Sequence, residues 1–382
     1  MVGEGTSVTD GAVPEVFDLP HLKQVSKIKH RILEKYLPPW ALILGFGGAP
    51  LGYVDCFAGP GRYRDRDGNE VDGSPVIAVR AAEKFCAAKP HHNISIVLME
   101  QDAGQLALLN RHLADLQPYH ARLRVTVYPE DSAHVVPRLL NEFPRTTPAF
   151  FLIDPFGNPL PLPVINAILQ RPKTEVLINL MQYSINMHLN NPQERARLDE
   201  LFGHSAWRTQ PFMALSGTER EQGFLDYFCS QLAAKYVFPF KIMMDKVEDR
   251  VRGNRTKYYL LHASNNKRAV LLMKEVMYPL GDEEGTFDYS GTSQGILISR
   301  TPQIEQLQHV LLEQFNDRKA TFDDIREETW RLPFIEKHYR TAIQNLRAEN
   351  ATRKSAYIEI TPRDSKTSRG LSGRDIVEFA PF

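Results

Sequence analysis

Short apolar runs recur through the first half of the chain, and four of them end at or near an acidic residue. Five such runs predict strands, and they cover residues 52–55, 94–100, 123–128, 149–154 and 175–180. Helical patterns lie between them, as at 74–85 and 104–116. Continuous apolar strands that alternate with helices are typical of a parallel sheet covered on both faces. The pattern therefore predicts an α/β fold with a doubly wound, Rossmann-type sheet.

Four of the predicted strands bring a carboxylate to the same edge of this sheet. Asp55, Glu100 and Asp154 end their runs, and Asp131 follows the third run. Ligands of doubly wound sheets bind beyond the carboxyl ends of the strands, so we expect these acids to surround one crevice. Each acid also has an ordinary interpretation. Asp is common in turns, Glu100 could be a solvated loop residue, and Asp131 could cap the helix predicted at 134–142.

A glycine-rich turn follows the first strand. Gly59-Pro60-Gly61 allows a sharp bend and a close approach of ligand to backbone. It lacks the G-x-G-x-x-G spacing of dinucleotide sites, and Asp55 beside it would repel a pyrophosphate, which disfavours a nicotinamide oxidoreductase. S-adenosylmethionine, which carries a sulfonium and an ammonium, suits an acidic site. The residues predicted to bind it are Asp55, Phe57, Gly59, Gly61, Glu100 and Asp131.

The fourth strand ends in the sequence Asp154-Pro155-Phe156-Gly157. Methyltransferases that modify amino groups of bases carry D-P-P-Y/F or a related sequence at this place. A carboxylate and a backbone carbonyl can accept both N–H groups of the amine, while an aromatic ring stacks on the extruded base. The second proline is missing here, and the alternative is a strand that ends in an ordinary D-P turn. We predict Asp154, Pro155 and Phe156 as catalytic residues, with no metal.

These motifs resemble the three-Cys-motif partner (TcmP) proteins. The resemblance lies in residues 53–63, 73–75 and 154–157, with further support at 179–181 and 260–277. It implies a bacterial protein with a methyltransferase-type Rossmann domain. It also implies a partner with a three-cysteine motif, as in radical-type iron–sulfur proteins. The resemblance leaves the substrate and the reaction open.

Two further segments adjoin the predicted crevice. The charged insert at 62–73 could cover the ligand, and Arg62, Tyr63 and the strand-end Asn179 are predicted to bind substrate. An amphipathic helix is predicted at 22–37, stopped by Pro38-Pro39. Its basic face either covers the crevice or is simply solvated.

The C-terminal part has a different pattern. Few apolar residues occur at 281–301, and helices are predicted at 302–316, 321–329 and 333–350, followed by a basic strand at 351–360. This order predicts a winged-helix-like module. Residues 337–374 contain nine basic and three acidic side chains, so we predict that Arg353 and Lys354 contact DNA or RNA. The alternative is a small domain that docks on the first domain or on a partner.

Composition bounds these predictions. The chain of 382 residues has 46 basic and 46 acidic side chains, so nucleic-acid binding would need a local patch. Three widely spaced cysteines and the lack of an apolar run of about 18 residues predict a cytoplasmic protein without a membrane segment. We predict a flexible tail at 1–20, a Rossmann domain at 21–285 and a C-terminal domain at 286–382. The favoured function is methylation of a base amino group. The alternative is a non-catalytic, nucleic-acid-binding partner of the three-cysteine protein.

Overall fold

The structure is a computed structural model. It describes residues 18–22, 24–89, 91–155, 160–181, 191–243, 256–280, 288–289, 304–349, 357–362 and 371–381. Phe156, Arg353 and Lys354, which the sequence predicts as site residues, lie outside the described residues.

An eight-stranded sheet forms the centre of the first domain. Its strands are β1 (Leu51–Asp55), β4 (Ile94–Met99), β5 (Leu123–Tyr128), β6 (Ala149–Ile153), β7 (Thr174–Leu180), β8 (Tyr236–Met243), β9 (Thr256–Ser264) and β10 (Asp288–Tyr289). Their order is β10-β8-β9-β7-β6-β1-β4-β5. Five neighbouring strands, β7, β6, β1, β4 and β5, pair in parallel. Strand β9 pairs antiparallel with both β7 and β8. The predicted doubly wound sheet is confirmed, with an antiparallel strand inserted near one edge.

Helices cover both faces of the sheet. They are α1 (Gln24–Leu44), α2 (Ser74–Ala88), α3 (Ala103–Ala114), α4 (Ser132–Glu142), α5 (Leu162–Leu169), α6 (Pro192–Phe202), α7 (Gly217–Gln231) and α8 (Lys267–Met277). Strand β6 shows how one strand serves both layers. Phe150 and Leu152 belong to the core formed with α1, α2 and α8, whereas Phe151 and Ile153 belong to the core formed with α4 to α7. This alternation follows from the two-residue period of a strand.

The first helix is longer than the sequence predicts. It continues through Pro38 and Pro39 to Leu44, so the predicted stop at the prolines is wrong. Trp40 and Ala41, beyond the prolines, are buried in the core. We attribute the continuation to this apolar burial, which offsets the hydrogen bonds that proline cannot make.

A buried polar cluster also fixes α1 to the sheet. The hydroxyl of Tyr36 donates to the carboxylate of Glu175 on β7, and His262 Nε2 on β9 lies 3.1 Å from the same carboxylate. All three side chains are buried. Helix α1 is therefore fixed over β7 and β9 by polar contacts as well as by apolar packing.

The C-terminal part builds a separate core. Helices α9 (Ile304–Gln314), α10 (Phe322–Glu328) and α11 (Glu336–Glu349) pack with strands β11 (Lys319–Thr321), β12 (Ile358–Thr361) and β13 (Ile376–Phe379). The three strands form an antiparallel sheet in the order β11-β13-β12. Thr321, the first residue of the helix predicted at 321–329, caps α10 through a capping box. The three predicted helices are present, and the winged-helix assignment of the module stays a prediction.

This module contacts the first domain along α8. The Lys274 amine donates to the carbonyls of Trp330 and Leu332 at 3.0 and 2.7 Å, and the His338 ring lies 4.5 Å from that of Tyr278. Burial lowers the pKa of Lys274 to about 7. The contact agrees with the alternative interpretation of a docked domain. No helix among the described residues has the length and apolarity needed to cross a membrane.

Candidate functional site

The carboxyl ends of the parallel strands meet at one rim, and backbone hydrogen bonds tie the following loops together. Ala58 N–H donates to the carbonyl of Met99 at 2.9 Å, and Glu100 N–H donates to the carbonyl of Tyr128 at 3.1 Å. The loops that follow β1, β4 and β5 therefore share one edge, as the alternation of strands and helices predicts.

Glu100 holds the glycine turn from the neighbouring strand. One oxygen of its carboxylate accepts the N–H of Gly59 at 2.8 Å, and the other accepts the N–H of Asp102 at 2.8 Å. Each oxygen keeps a further lone pair for a ligand. Glu100 therefore combines a structural contact with a position in the crevice.

Gly59 has two reasons to be glycine. Its φ of 66° lies in the left-handed region, and a Cβ built on it would lie 2.6 Å from the Tyr63 hydroxyl. We expect Gly59→Ala to lower stability by about 2–4 kcal/mol, from backbone strain and overlap together. Gly68 is a matched control, because its φ is 82° but a Cβ there would meet nothing within 4 Å. Gly68→Ala should cost only about 1 kcal/mol. Melting temperatures of both variants check this prediction, and equal losses would contradict the steric contribution.

Asp55 lies beneath the turn. Its side chain has no exposure to solvent, and it accepts the N–H of Phe57 at 3.2 Å and the hydroxyl of Tyr53 at 3.3 Å. Burial raises the pKa of Asp55 to about 6. Its contacts hold the backbone that leads into the turn. Direct contact with a cofactor stays a prediction for this residue.

A cleft of about 250 Å³ opens beside the turn, between the ends of β1, β4 and β5. Phe57 lines it together with four carboxylates, those of Glu100, Asp102, Glu130 and Asp131. None of the described lining residues is Lys or Arg. The cleft therefore favours a ligand with positive charge over one with phosphates.

Asp131 lies both at the start of α4 and at the edge of the cleft, and its role in cofactor binding stays a prediction. It caps α4 by accepting the N–H of Ala133 at 2.8 Å, and it also lines the cleft. The adjacent Ser132 hydroxyl is buried and has no hydrogen-bond partner among the described residues. A ligand in the cleft would meet a carboxylate acceptor and a hydroxyl side by side, which is a suitable arrangement for a nucleobase edge.

Asp154 receives two donors from its own chain. The Lys29 ammonium of α1 donates to one carboxylate oxygen, and the Asn179 amide donates to the other at 2.5 Å. The side chains of Lys29 and Asp154 are 6% and 14% exposed, so this ion pair is largely shielded from water. The structure thus brings together Asp154 and Asn179, which the sequence predicts, and adds Lys29.

Lys29 is the residue that the sequence interpretation misses. It belongs to the basic face of the helix predicted at 22–37, for which the sequence predicts either solvation or a cover over the crevice. Its position four and seven residues before Leu33 and Tyr36 places it on the apolar face of α1, and both of those residues are buried. A lysine on the apolar face of a helix is the signal that could have identified it.

Tyr63 lies beside the glycine turn, with its hydroxyl 2.6 Å from the place where a Cβ on Gly59 would lie. Its side chain is buried, and its pKa is raised by burial and then by the carboxylates of Asp154, Asp55 and Glu100. Its ring lies 5.8 Å from that of His30. Tyr63 therefore packs against the turn, and substrate contact by Tyr63 stays a prediction.

Arg62 belongs to a different network. It opens the short hairpin of β2 (Arg62–Arg64) and β3 (Glu70–Asp72), and its guanidinium pairs with Glu70 at 2.8 Å and Asp72 at 3.4 Å. It does not line the cleft. Substrate contact by Arg62 stays a prediction.

Comparisons with known proteins assign no family to this chain. No family model matches the chain, and no curated protein matches it. Resemblance to the three-Cys-motif partner proteins therefore stays a prediction. Among solved structures, a Legionella pneumophila protein is similar at 13% identity over 64% of this chain and 85% of that chain, with a TM-score of 0.38.

Two methyltransferase structures have similar scores. A SAM-dependent methyltransferase from Agrobacterium tumefaciens shares 13% identity over 63% of this chain and 62% of that chain, with a TM-score of 0.31. A precorrin-6y C5,15-methyltransferase from Geobacter metallireducens shares 10% identity over 65% and 94%, with a TM-score of 0.32. Likenesses of this size carry no argument about what this chain does.

Proposed function

We propose that the protein is an S-adenosylmethionine-dependent methyltransferase that acts on an amino group of a nucleic-acid base. One observation carries the proposal. The acid-lined cleft and the Glu100-held glycine turn occupy the same rim of the sheet as Asp154, because Asp154 follows β6, which pairs in parallel with β1. A site for a cationic donor thus adjoins a carboxylate that can receive an amine.

The cleft suits the cofactor in charge and in chemistry. Its four carboxylates favour a cation, and its volume approaches the lower end of the range of about 300–1,000 Å³ for small-ligand sites. Glu100 would accept the ribose hydroxyls, and Asp131 with Ser132 would meet the adenine edge. When bound, S-adenosylmethionine supplies a methyl group on a positively charged sulfur.

On the side of the site at Asp154, residues of the protein would orient the amine of the substrate. The Asp154 carboxylate and the Pro155 carbonyl can accept N–H groups from an aromatic amine. Lys29 and Asn179 fix the carboxylate in place. In this arrangement the rate depends mainly on positioning of the amine against the methyl group.

Calorimetric titration with S-adenosylmethionine tests the cofactor half of the proposal. We expect binding by the unaltered protein, weakened about tenfold or more in Glu100→Ala because the turn and the ribose acceptor are both lost. Glu328→Ala is the matched control. Glu328 lies outside the cleft, at the end of α10, and its carboxylate pairs with Arg318 at 3.2 Å, so the effect should stay within about twofold. Absence of binding by the unaltered protein would contradict the proposal.

A second experiment tests the substrate. The protein is incubated with methyl-labelled cofactor and, separately, with double-stranded DNA, single-stranded DNA and structured RNA. We expect label on an exocyclic amine of one of these nucleic acids. Label found only on protein would contradict a nucleic-acid target.

A second candidate function has one observation in its favour. Asp154 is already engaged by Lys29 and Asn179, as it would be if the residue had become structural. In that case the chain would be a non-catalytic, nucleic-acid-binding partner of a three-cysteine protein. Affinity for nucleic acid should then be unchanged by Asp154→Ala and lost after deletion of residues 320–382.

A further inference from the structure

We infer that His112 on α3 is a positioning residue of the glycine turn, which aims the Gly61 N–H at the amino-acid end of the cofactor. The inference rests on the proposed function, because it concerns the same cofactor. It adds a residue that lies outside the cleft and that no motif in the sequence marks.

The contact itself is short and buried. His112 Nδ1 lies 2.7 Å from the Pro60 carbonyl oxygen, and the His112 side chain is 5% exposed. A carbonyl oxygen only accepts hydrogen bonds, so Nδ1 carries the proton and donates it. His112 therefore fixes the direction in which the Pro60 carbonyl points.

The direction of that carbonyl determines the direction of the next donor. A trans peptide unit is planar, and its C=O and N–H point in opposite directions. Since the Pro60 carbonyl points at α3, the Gly61 N–H points away from α3. The following peptide is also held, because the Gly61 carbonyl accepts the N–H of Gly73 at 2.7 Å.

Within the turn of residues 59–61, the backbone N–H of Gly61 is the one left to bind a ligand. Pro60 has none, and that of Gly59 is donated to Glu100. The described residues give the Gly61 N–H no hydrogen-bond acceptor. The φ of Gly61 is 85°, a conformation that glycine adopts without strain.

Helix α3 connects this support to the cleft. Its N-terminal cap, Asp102, lines the cleft, and its last turn carries His112. Between them, Leu109 packs within 3.3 Å of the place where a Cβ on Gly61 would lie. The same helix therefore borders the nucleoside part of the proposed site and supports the turn beside it.

The chemistry of the ligand follows from the donor. A backbone N–H at a glycine turn receives an anionic oxygen, and the amino-acid end of S-adenosylmethionine ends in a carboxylate. The nucleoside end lies in the acid-lined cleft and makes no use of this donor. His112 should therefore affect ligands that have the carboxylate and leave unaffected those that lack it.

The experiment compares two ligands by calorimetry on the full chain. S-adenosylhomocysteine has the amino-acid end, whereas 5′-methylthioadenosine keeps the nucleoside and lacks that end. His112→Leu removes the donor, and His112→Gln moves it one atom further out. His112→Asn keeps an N–H donor at the place of Nδ1.

We expect the dissociation constant of S-adenosylhomocysteine to rise about tenfold in His112→Leu and His112→Gln, which corresponds to one lost hydrogen bond. It should return to within about threefold of the original value in His112→Asn, and 5′-methylthioadenosine should change less than about twofold in all three variants. Melting temperatures show that each variant is folded.

Equal weakening of both ligands would overturn the inference, because a merely structural histidine loosens the whole site. The inference would also be overturned if His112→Asn bound S-adenosylhomocysteine as weakly as His112→Leu does. Failure of the unaltered protein to bind either ligand would overturn the proposed function and this inference together.

Discussion

Asp154→Asn is expected to lower the rate of methyl transfer by about two to three orders of magnitude, while the affinity for S-adenosylmethionine stays within about twofold. The substitution keeps the shape of the side chain and removes its charge, which is the property that draws the proton of the amine. Asp154 does not line the cleft, so cofactor binding should be unaffected. The measurements are labelled methyl transfer under single-turnover conditions and calorimetry with the cofactor.

A matched control separates chemistry from structure in this experiment. Asp199 on α6 also holds a basic partner, Arg208, and accepts the indole N–H of Trp207 at 2.9 Å. Asp199→Asn should leave the transfer rate within about twofold. If Asp154→Asn kept full activity, the Asp154 carboxylate would have no role in methyl transfer.

Lys29→Met extends the same prediction to the ion pair. It leaves the Asp154 carboxylate largely buried without its cation, a change that typically costs about 3–5 kcal/mol. We expect a lower melting temperature and a transfer rate at least tenfold lower, because the carboxylate loses its fixed orientation. Lys29→Arg, which keeps the charge, should retain more stability than Lys29→Met. Equal melting temperatures of Lys29→Met and the unaltered protein would show that the ion pair adds nothing to the fold.

Asp55→Asn is expected to make the folded protein more stable near pH 7.5, by about 2–3 kcal/mol, or roughly 5 °C in melting temperature. Burial raises the pKa of Asp55 from 3.8 to about 6, so the ionised form is disfavoured in the folded protein. The asparagine cannot ionise, and its amide oxygen can still accept the N–H of Phe57. Thermal unfolding of both proteins at several pH values provides the measurement.

The pH dependence of this difference has a definite sign. Between about pH 4 and 6 the folded protein holds a proton on Asp55 that the unfolded chain has lost, so the contribution of Asp55 to stability falls as the pH rises. The advantage of Asp55→Asn should therefore be near zero at about pH 4 and complete above about pH 6. If Asp55→Asn were less stable than the unaltered protein at pH 7.5, the ionised Asp55 carboxylate would have a stabilising partner in the folded protein.

Local patterns in the sequence were sufficient for the five parallel strands β1, β4, β5, β6 and β7 and for part of the site. Apolar runs identify five strands, and parallel pairing then places Glu100, Asp131 and Asp154, which end or follow three of these runs, at one rim. The capping residue Thr321 is equally local, because a cap depends on neighbours three residues away. The double proline in α1 shows where such rules fail, since burial of Trp40 and Ala41 accompanies a continuous helix.

By itself, the sequence determined which residues lie at the carboxyl ends of the strands, because hydrophobic periodicity depends only on near neighbours. The tertiary structure alone decided what each of these residues contacts. Glu100 accepts the N–H of Gly59 across 41 residues of sequence. Lys29 reaches Asp154 across 125 residues of sequence, and His112 reaches Pro60 across 52. Contacts of this range arise only when the helices pack on the sheet, so no local pattern contains them.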